Sequence, residues 1–221
     1  MFNTQLKLTR GTPLEGVYSG EFAMPQYSEP GVWKIAKVQI IDLANNWLSL
    51  NAGDQSGSRT LTVVSEPADV HTPRLISLTF DPPSLTERSL VREVTVRLKA
   101  KDDLSGVSFT PDDPRGSGPE ARHGIDLRSP SGTQKATAYR GINAMAGGSW
   151  TLVNGTPQDG VWQTKLTLPE SPEPGVWKVW EVCLKDAVRN IRCYTSELSG
   201  LGIPDLVVSG GKPTGNPPPA N

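Results

Sequence analysis

Two stretches of this chain are close copies. Glu29 to Asn46 reads EPGVWKIAKVQIIDLANN, and Glu173 to Asn190 reads EPGVWKVWEVCLKDAVRN. The likeness begins earlier, where Gly11–Tyr18 (GTPLEGVY) falls on Gly155–Trp162 (GTPQDGVW) at an offset of 144, that is 155 less 11. From residue 11 to 46, 15 of 36 positions are identical to their partners. Unrelated segments agree at about one position in sixteen, so the segment is duplicated. Leu61–Ser65 (LTVVS) lies on Asp205–Ser209 (DLVVS) in the same register.

Both copies alternate with period two. Tyr18, Phe22 and Met24 stand where Trp162, Leu166 and Leu168 stand, with Ser19, Glu21, Gln163 and Lys165 between them. Ala36, Val38 and Ile40 match Trp180, Val182 and Leu184 in the next strand. Such alternation describes a sheet packed on one face and wet on the other. Glycine (22) and proline (20) are scattered through GTP, EPG, DPP and SPSG, marking frequent turns between Val/Thr/Leu/Trp-rich runs. No stretch places apolar residues at helical spacing, and the chain is expected to be all-β.

The copies differ in what precedes them. The second has a prelude of Arg74–Phe80, Val91–Ala100 with Val94, Val96, Leu98 and Ala100 on one face, Gly124–Arg128, the SPSG turn at Ser129–Gly132, and Thr133–Tyr139. The first has none. Residues 1–65 are therefore expected to be the C-terminal half of a unit, 68–209 a complete unit, and 210–221 a Pro/Gly linker tail. Ser65–Ala68 would join the two, and the simplest account is an excerpt from a longer tandem array. An isolated half would expose its apolar face and strand edges. Packing on the complete unit, dimerisation or a missing half in the parent chain could seal it.

The motifs Thr95–Val107 (TVRLKAKDDLSGV), Leu127–Gly132 (LRSPSG), Gly175–Val179 (GVWKV) and Asp186–Asn190 (DAVRN) occur in that order. Together they resemble the immunoglobulin-like (cadherin- or fibronectin-III-like) β-sandwich modules strung along secreted and surface bacterial proteins. The resemblance covers about 74–208 in full and 6–64 for its second half. It implies an antiparallel β-sandwich, a cell-surface or extracellular location, and a role in spacing, display or adhesion; such modules also accompany secreted hydrolases. Two departures stand out. Both Asp-x-x-x-Asn turns lack the glycine often seen before the final Asn, and the repeat exceeds the roughly 100 residues of an ordinary domain of this kind. Phe109–Arg122 and Gly141–Gly148 are expected to hold the excess.

Charge and motifs narrow the function classes. With 22 basic and 23 acidic residues the net charge is -1, which provides no global field for nucleic acid. No apolar run reaches the roughly 18 residues of a membrane span, and MFNTQLKLTR is too polar for the core of a signal peptide. The two histidines, His71 and His123, sit in no nucleophile motif, and G-x-S-x-G, H-E-x-x-H and P-loop patterns are absent. We expect no enzyme.

Three constellations have a chemical reading beside a structural one. Asp102, Asp103, Asp112, Asp113 and Glu120 could give hard oxygen ligands to Ca2+, or could end a strand and solvate a loop. Asp42…Asn46 and Asp186…Asn190 could contribute to such a site, but supply too few oxygens alone and are read first as hairpin turns. Cys183 and Cys193 lie symmetrically about Val188, so they face each other across a hairpin. In an oxidising compartment they form a disulfide, and in a reducing one they stay thiols. Cys183 takes the outward register, as do Gln39 and Ser49 of the first copy, so an exposed pair is expected. Trp162 and Trp180 take inward registers. Trp33 and Trp177 take the opposite one, as a packed corner or a ligand platform, and Trp47, replaced by Ile191 in the second copy, is a further platform candidate.

The expected role is a non-catalytic spacer or adhesion module of an exported bacterial multidomain protein. The alternatives are a carbohydrate- or protein-binding accessory domain of a secreted hydrolase and a calcium-rigidified linker. Expected partners are neighbouring repeats, a glycan or surface protein, and a second copy through the incomplete half. Neither nucleic acid nor membrane insertion is expected.

Overall fold

The computed structural model describes residues 6–51, 60–86, 92–110, 123–140 and 149–210. Within them the chain is all-β apart from a short 3-10 helix at Ser196–Leu201. The alternation in Glu93–Lys101 has the consequence expected of it. Val94, Val96, Leu98 and Ala100 are fully buried while Glu93, Arg97 and Lys101 face water. Numbering strands along the chain, this is β9, inside a four-stranded antiparallel sheet with β7 (Arg74–Asp81) on one side and β13 (Asp159–Thr167) and β12 (Thr151–Thr156) on the other. Trp162 stands opposite Leu98, and Leu166 opposite Val94.

A six-stranded sheet is organised by β14 (Gly175–Lys185). On one edge β14 meets β10 (His123–Arg128), which pairs in turn with β11 (Lys135–Arg140). On the other edge its start holds β16 (Leu206–Ser209) and its end holds β15 (Ile191–Tyr194), while β8 (Ser84–Thr86) runs parallel to β16. Ile125, Leu127, Trp177, Val182, Leu184, Leu206 and Val208 join the β9 residues in one hydrophobic core. The Tyr194 hydroxyl pins the start of β7, accepting from the Leu75 N–H at 3.0 Å and donating to the Pro73 carbonyl at 3.3 Å.

β14 corrects the tryptophan assignment. Trp177 is fully buried and Trp180 is 62% exposed, the reverse of the expected faces. The pairing with β10 steps from Asp126↔Glu181 to Leu127↔Val179 and skips Trp180. That extra residue is a β-bulge, and one inserted residue exchanges inward and outward positions along the strand. Trp177 and Val179 therefore face the core before the bulge, and Val182 and Leu184 after it.

The described residues of 6–64 form three strand pairs: β1 (Lys7–Gly11) with β2 (Gly16–Ser19), β3 (Gly31–Lys34) with β6 (Thr60–Val63), and β4 (Lys37–Ile41) with β5 (Trp47–Asn51). Their local geometry parallels the second copy. The irregularity between Leu8 and Arg10 in β1 falls where β12 has one between Leu152 and Asn154. Gly11 and Gly155 both take positive φ, at 88° and 80°. The final strand shows a slip: Gly31 pairs with Val63, whereas Gly175 pairs with Val208 rather than Val207. Leu61 and Val63 thus correspond to Leu206 and Val208, one residue away from the constant offset expected.

The expected one-sided burial of this first copy is not found. Tyr18 is 46% exposed, Phe22 52% and Ile40 51%, while Leu166 and Leu184 are fully buried. In the second copy β13 is backed by β9, β14 by β10 and β16 by β8. Among the described residues no strand takes those places beside β2, β3, β4 or β6. The two copies touch at their junction, where the Asp69 N–H donates to the Tyr27 carbonyl at 2.9 Å and Ser28 is buried.

Candidate functional site

The turn between β14 and β15 is built by one carboxylate. Asp186 Oδ1 accepts the N–H groups of Val188 (3.0 Å) and Asn190 (2.8 Å), and Oδ2 accepts Asn190 Nδ2 at 2.7 Å. Arg189 takes the left-handed conformation that closes the turn, with φ at 78°. Asp42 does the same in the first copy, accepting the Asn46 N–H and Nδ2 both at 2.8 Å, with Asn45 at φ 65°. These residue types suit the task because a short carboxylate reaches N–H groups two to four residues ahead.

The two turns differ in electrostatics. Asp42 is in open water, and its side-chain hydrogen bond from Asn46 holds its carboxyl below the usual range. Asp186 is fully buried, and desolvation pushes its carboxyl up to about 6 against the bonds from Asn190, with Asp69 and Asp102 adding like charge. Both anions accept the same pair of bonds from the closing Asn, so the difference comes from what surrounds Asp186.

The surroundings are two further acids. Asp102, at the end of β9, accepts the Gly106 N–H at 2.7 Å and the Leu104 N–H at 3.2 Å on Oδ2. Asp69, in the connection ahead of β7, accepts the His71 N–H on Oδ1 and the Ser105 N–H at 2.8 Å on Oδ2. Asp69, Asp102 and Asp186 each place an oxygen within 4.8 Å of the others. Burial raises the Asp102 carboxyl too, and the charges of Asp69 and Asp103 add to it. Asn190 Nδ2 also donates to the Asp69 carbonyl at 3.2 Å, tying the connection to the turn.

Of the described acids weighed for a cation site, Asp102 and Asp186 belong to this cluster, and Asp103 and Asp42 do not. Asp103 turns outward to His71 Nδ1 at 2.6 Å, because neighbouring residues at a strand end point to opposite sides. Asp112, Asp113 and Glu120 lie outside the described residues, as does most of the segment expected to hold the extra length. Nothing in the sequence marks Asp69, which sits in an ordinary linker with no ligand spacing around it.

Cys183 and Cys193 are joined in a disulfide, directly opposite each other across β14 and β15. Their sulfurs are bonded to one another, so the grouping with Glu181 has no thiolate to offer a metal. Cys183 is buried, not exposed as its register suggested, because β14 is an interior strand with β10 beyond it. Gln39 and Ser49 form the matching cross-strand pair in β4 and β5.

Trp177 is the packed corner, its indole N–H donating to the Glu173 carbonyl at 2.8 Å. Trp33 makes the same bond to Glu29 at 2.9 Å but stays half-buried, which leaves less of a platform than expected. The exposed indoles are Trp47, at 58%, and Trp180, with the Arg128 guanidinium over its ring at 5.9 Å. Chemically, the carboxylate cluster can hold a hard cation or share a proton, and the open indoles can stack on a flat apolar ligand face. Comparison with protein-family models, with curated proteins and with solved structures finds no match.

Proposed function

We propose that this chain is a non-catalytic spacer or adhesive module of an exported multidomain protein. Its complete unit is read as an immunoglobulin-like sandwich at 68–209, preceded by the second half of a related unit at 1–65. The observation that carries this reading is the coincidence of detail between the copies: the same bulge, the same positive-φ glycines, the same Asp–Asn turn and the same indole bond. Units reiterated in tandem extend reach without chemistry. The Cys183–Cys193 disulfide supports an oxidising location. Among the described residues no helix is long and apolar enough to cross a membrane.

The test is a glycan array with the full chain, beside its display as a stalk under a reporter ligand. A spacer retains no sugar and lengthens the reach of the reporter. Retention of one sugar class that is lost on Trp47→Ala or Trp180→Ala overturns it. That outcome instead supports an accessory binding domain, the second reading, which the exposed Trp47 and Trp180 favour.

A further inference from the structure

Asp69, Asp102 and Asp186 come from three separate parts of the chain and converge where water is nearly excluded. Asp69 is 2% exposed, Asp102 9%, and Asp186 not measurably so. The ion pairs described elsewhere in the molecule leave all three out. Acids that cap turns are common, and their clustering is not by itself a site. A second observation points to a ligand: Asp102 Oδ1 is enclosed and accepts no hydrogen bond, although its partner Oδ2 accepts two. The enclosed Ser105 Oγ is likewise without a partner, and its own N–H rests on Asp69 Oδ2. A buried carboxylate oxygen left without a donor is strongly unfavourable unless a counter-charge meets it.

We propose that the carboxylates of Asp69, Asp102 and Asp186 form a Ca2+ site, with Ser105 Oγ beside it, that fastens the connection between the two copies to the complete unit. An all-oxygen donor set selects a hard cation over zinc or copper. Mg2+ keeps several of its waters, which this degree of burial leaves little room for, whereas Ca2+ accepts six to eight oxygens in flexible geometry. The turn hydrogen bonds do not block ligation, since each carboxylate oxygen has two lone pairs. Asp69 is the residue that gives the ion its consequence. Its N–H holds Tyr27 of the first copy and its carbonyl holds Asn190 of the second, so fixing its side chain fixes the junction. The site goes beyond the spacer reading and stands equally if the module binds a glycan.

The experiment is calorimetric titration of the chelator-treated full chain with CaCl2, paired with melting in CaCl2 and in EDTA. One ion binds per chain, and Ca2+ raises the melting temperature. Asp102→Asn and Asp69→Asn each weaken Ca2+ binding at least tenfold, while their melting in EDTA stays at or above that of the parent, because a repulsive charge is gone. Asp103→Asn, at the carboxylate that faces His71, leaves the affinity unchanged. Equal melting in both solutions with no heat of binding overturns the proposal. So does Ca2+ binding that survives Asp102→Asn and Asp69→Asn, or that is lost in Asp103→Asn. A glycan-array result has no bearing on either outcome.

Discussion

Trp33 and Trp177 occupy the same place in the same six-residue motif and make the same indole bond, yet they should differ several-fold in what they contribute. Trp177 is fully buried, and its truncation to Ala removes a large apolar surface and leaves a cavity, about 3–5 kcal/mol for a residue of this size. The lost bond to the Glu173 carbonyl adds on the order of 1 kcal/mol at most. Trp33 is half-buried against open strands, so Trp33→Ala gives up about 1–2 kcal/mol of surface burial and leaves no enclosed void. Urea unfolding of the full chain, followed by ellipticity, should show the Trp177→Ala midpoint lowered by about 2 M at a slope of about 2 kcal/mol per M. Hydrogen exchange by mass spectrometry separates the copies: peptides across 173–185 lose protection in Trp177→Ala, and peptides across 29–41 start with little to lose. Trp177→Phe, which keeps one aromatic ring but loses the donor and part of the buried indole, should cost less than Trp177→Ala, about 2–3 kcal/mol. Equal costs for Trp33→Ala and Trp177→Ala would refute the reasoning, since they would mean that the first copy is sealed in solution.

In calcium-free protein, carboxyl NMR titration should place Asp42 below 3.8 and Asp186 near 6. Because the folded value of Asp186 lies above its unfolded one, its contribution to stability is greatest below about 4 and is lost as pH rises through 6. Asp186→Asn, beside Asp69 and Asp102, should flatten urea stability over that window. Titration of Asp186 at or below Asp42 would contradict this. Reducing the Cys183–Cys193 disulfide, which closes a loop with a sequence separation of 10, should lower stability by about 2–3 kcal/mol in urea melts with and without dithiothreitol. Gly31→Ala and Gly175→Ala share a positive φ, at 134° and 127°, and so share a strain of about 1 kcal/mol. Only Gly175→Ala also meets Pro130 Cγ, at 2.6 Å, so it should destabilise by about 1–3 kcal/mol more.

Much of this molecule is legible without coordinates. The period-two pattern of β9 and β13, the turns at Asp42–Asn46 and Asp186–Asn190, and the facing cysteines all follow from interactions between residues a few places apart. Alternation states which side chains share a face, and a carboxylate that reaches its own turn needs no help from elsewhere.

What depended on tertiary structure is of another kind. Which face Trp177 and Trp180 take was decided by a bulge in the pairing with β10, and a one-residue insertion leaves no mark in the pattern of a single strand. The open face of the first copy and the buried face of the second carry apolar residues at matching positions, and among the described residues what tells them apart is the presence of β9, β10 and β8 beside the second. Asp69, Asp102 and Asp186 are separated by 33 and 84 residues (102 less 69, 186 less 102) and meet only when the sheets close. Sequence therefore determined the hydrogen bonds each segment makes with itself. The fold determined how much water those segments keep, because burial is a property of what arrives from the rest of the chain.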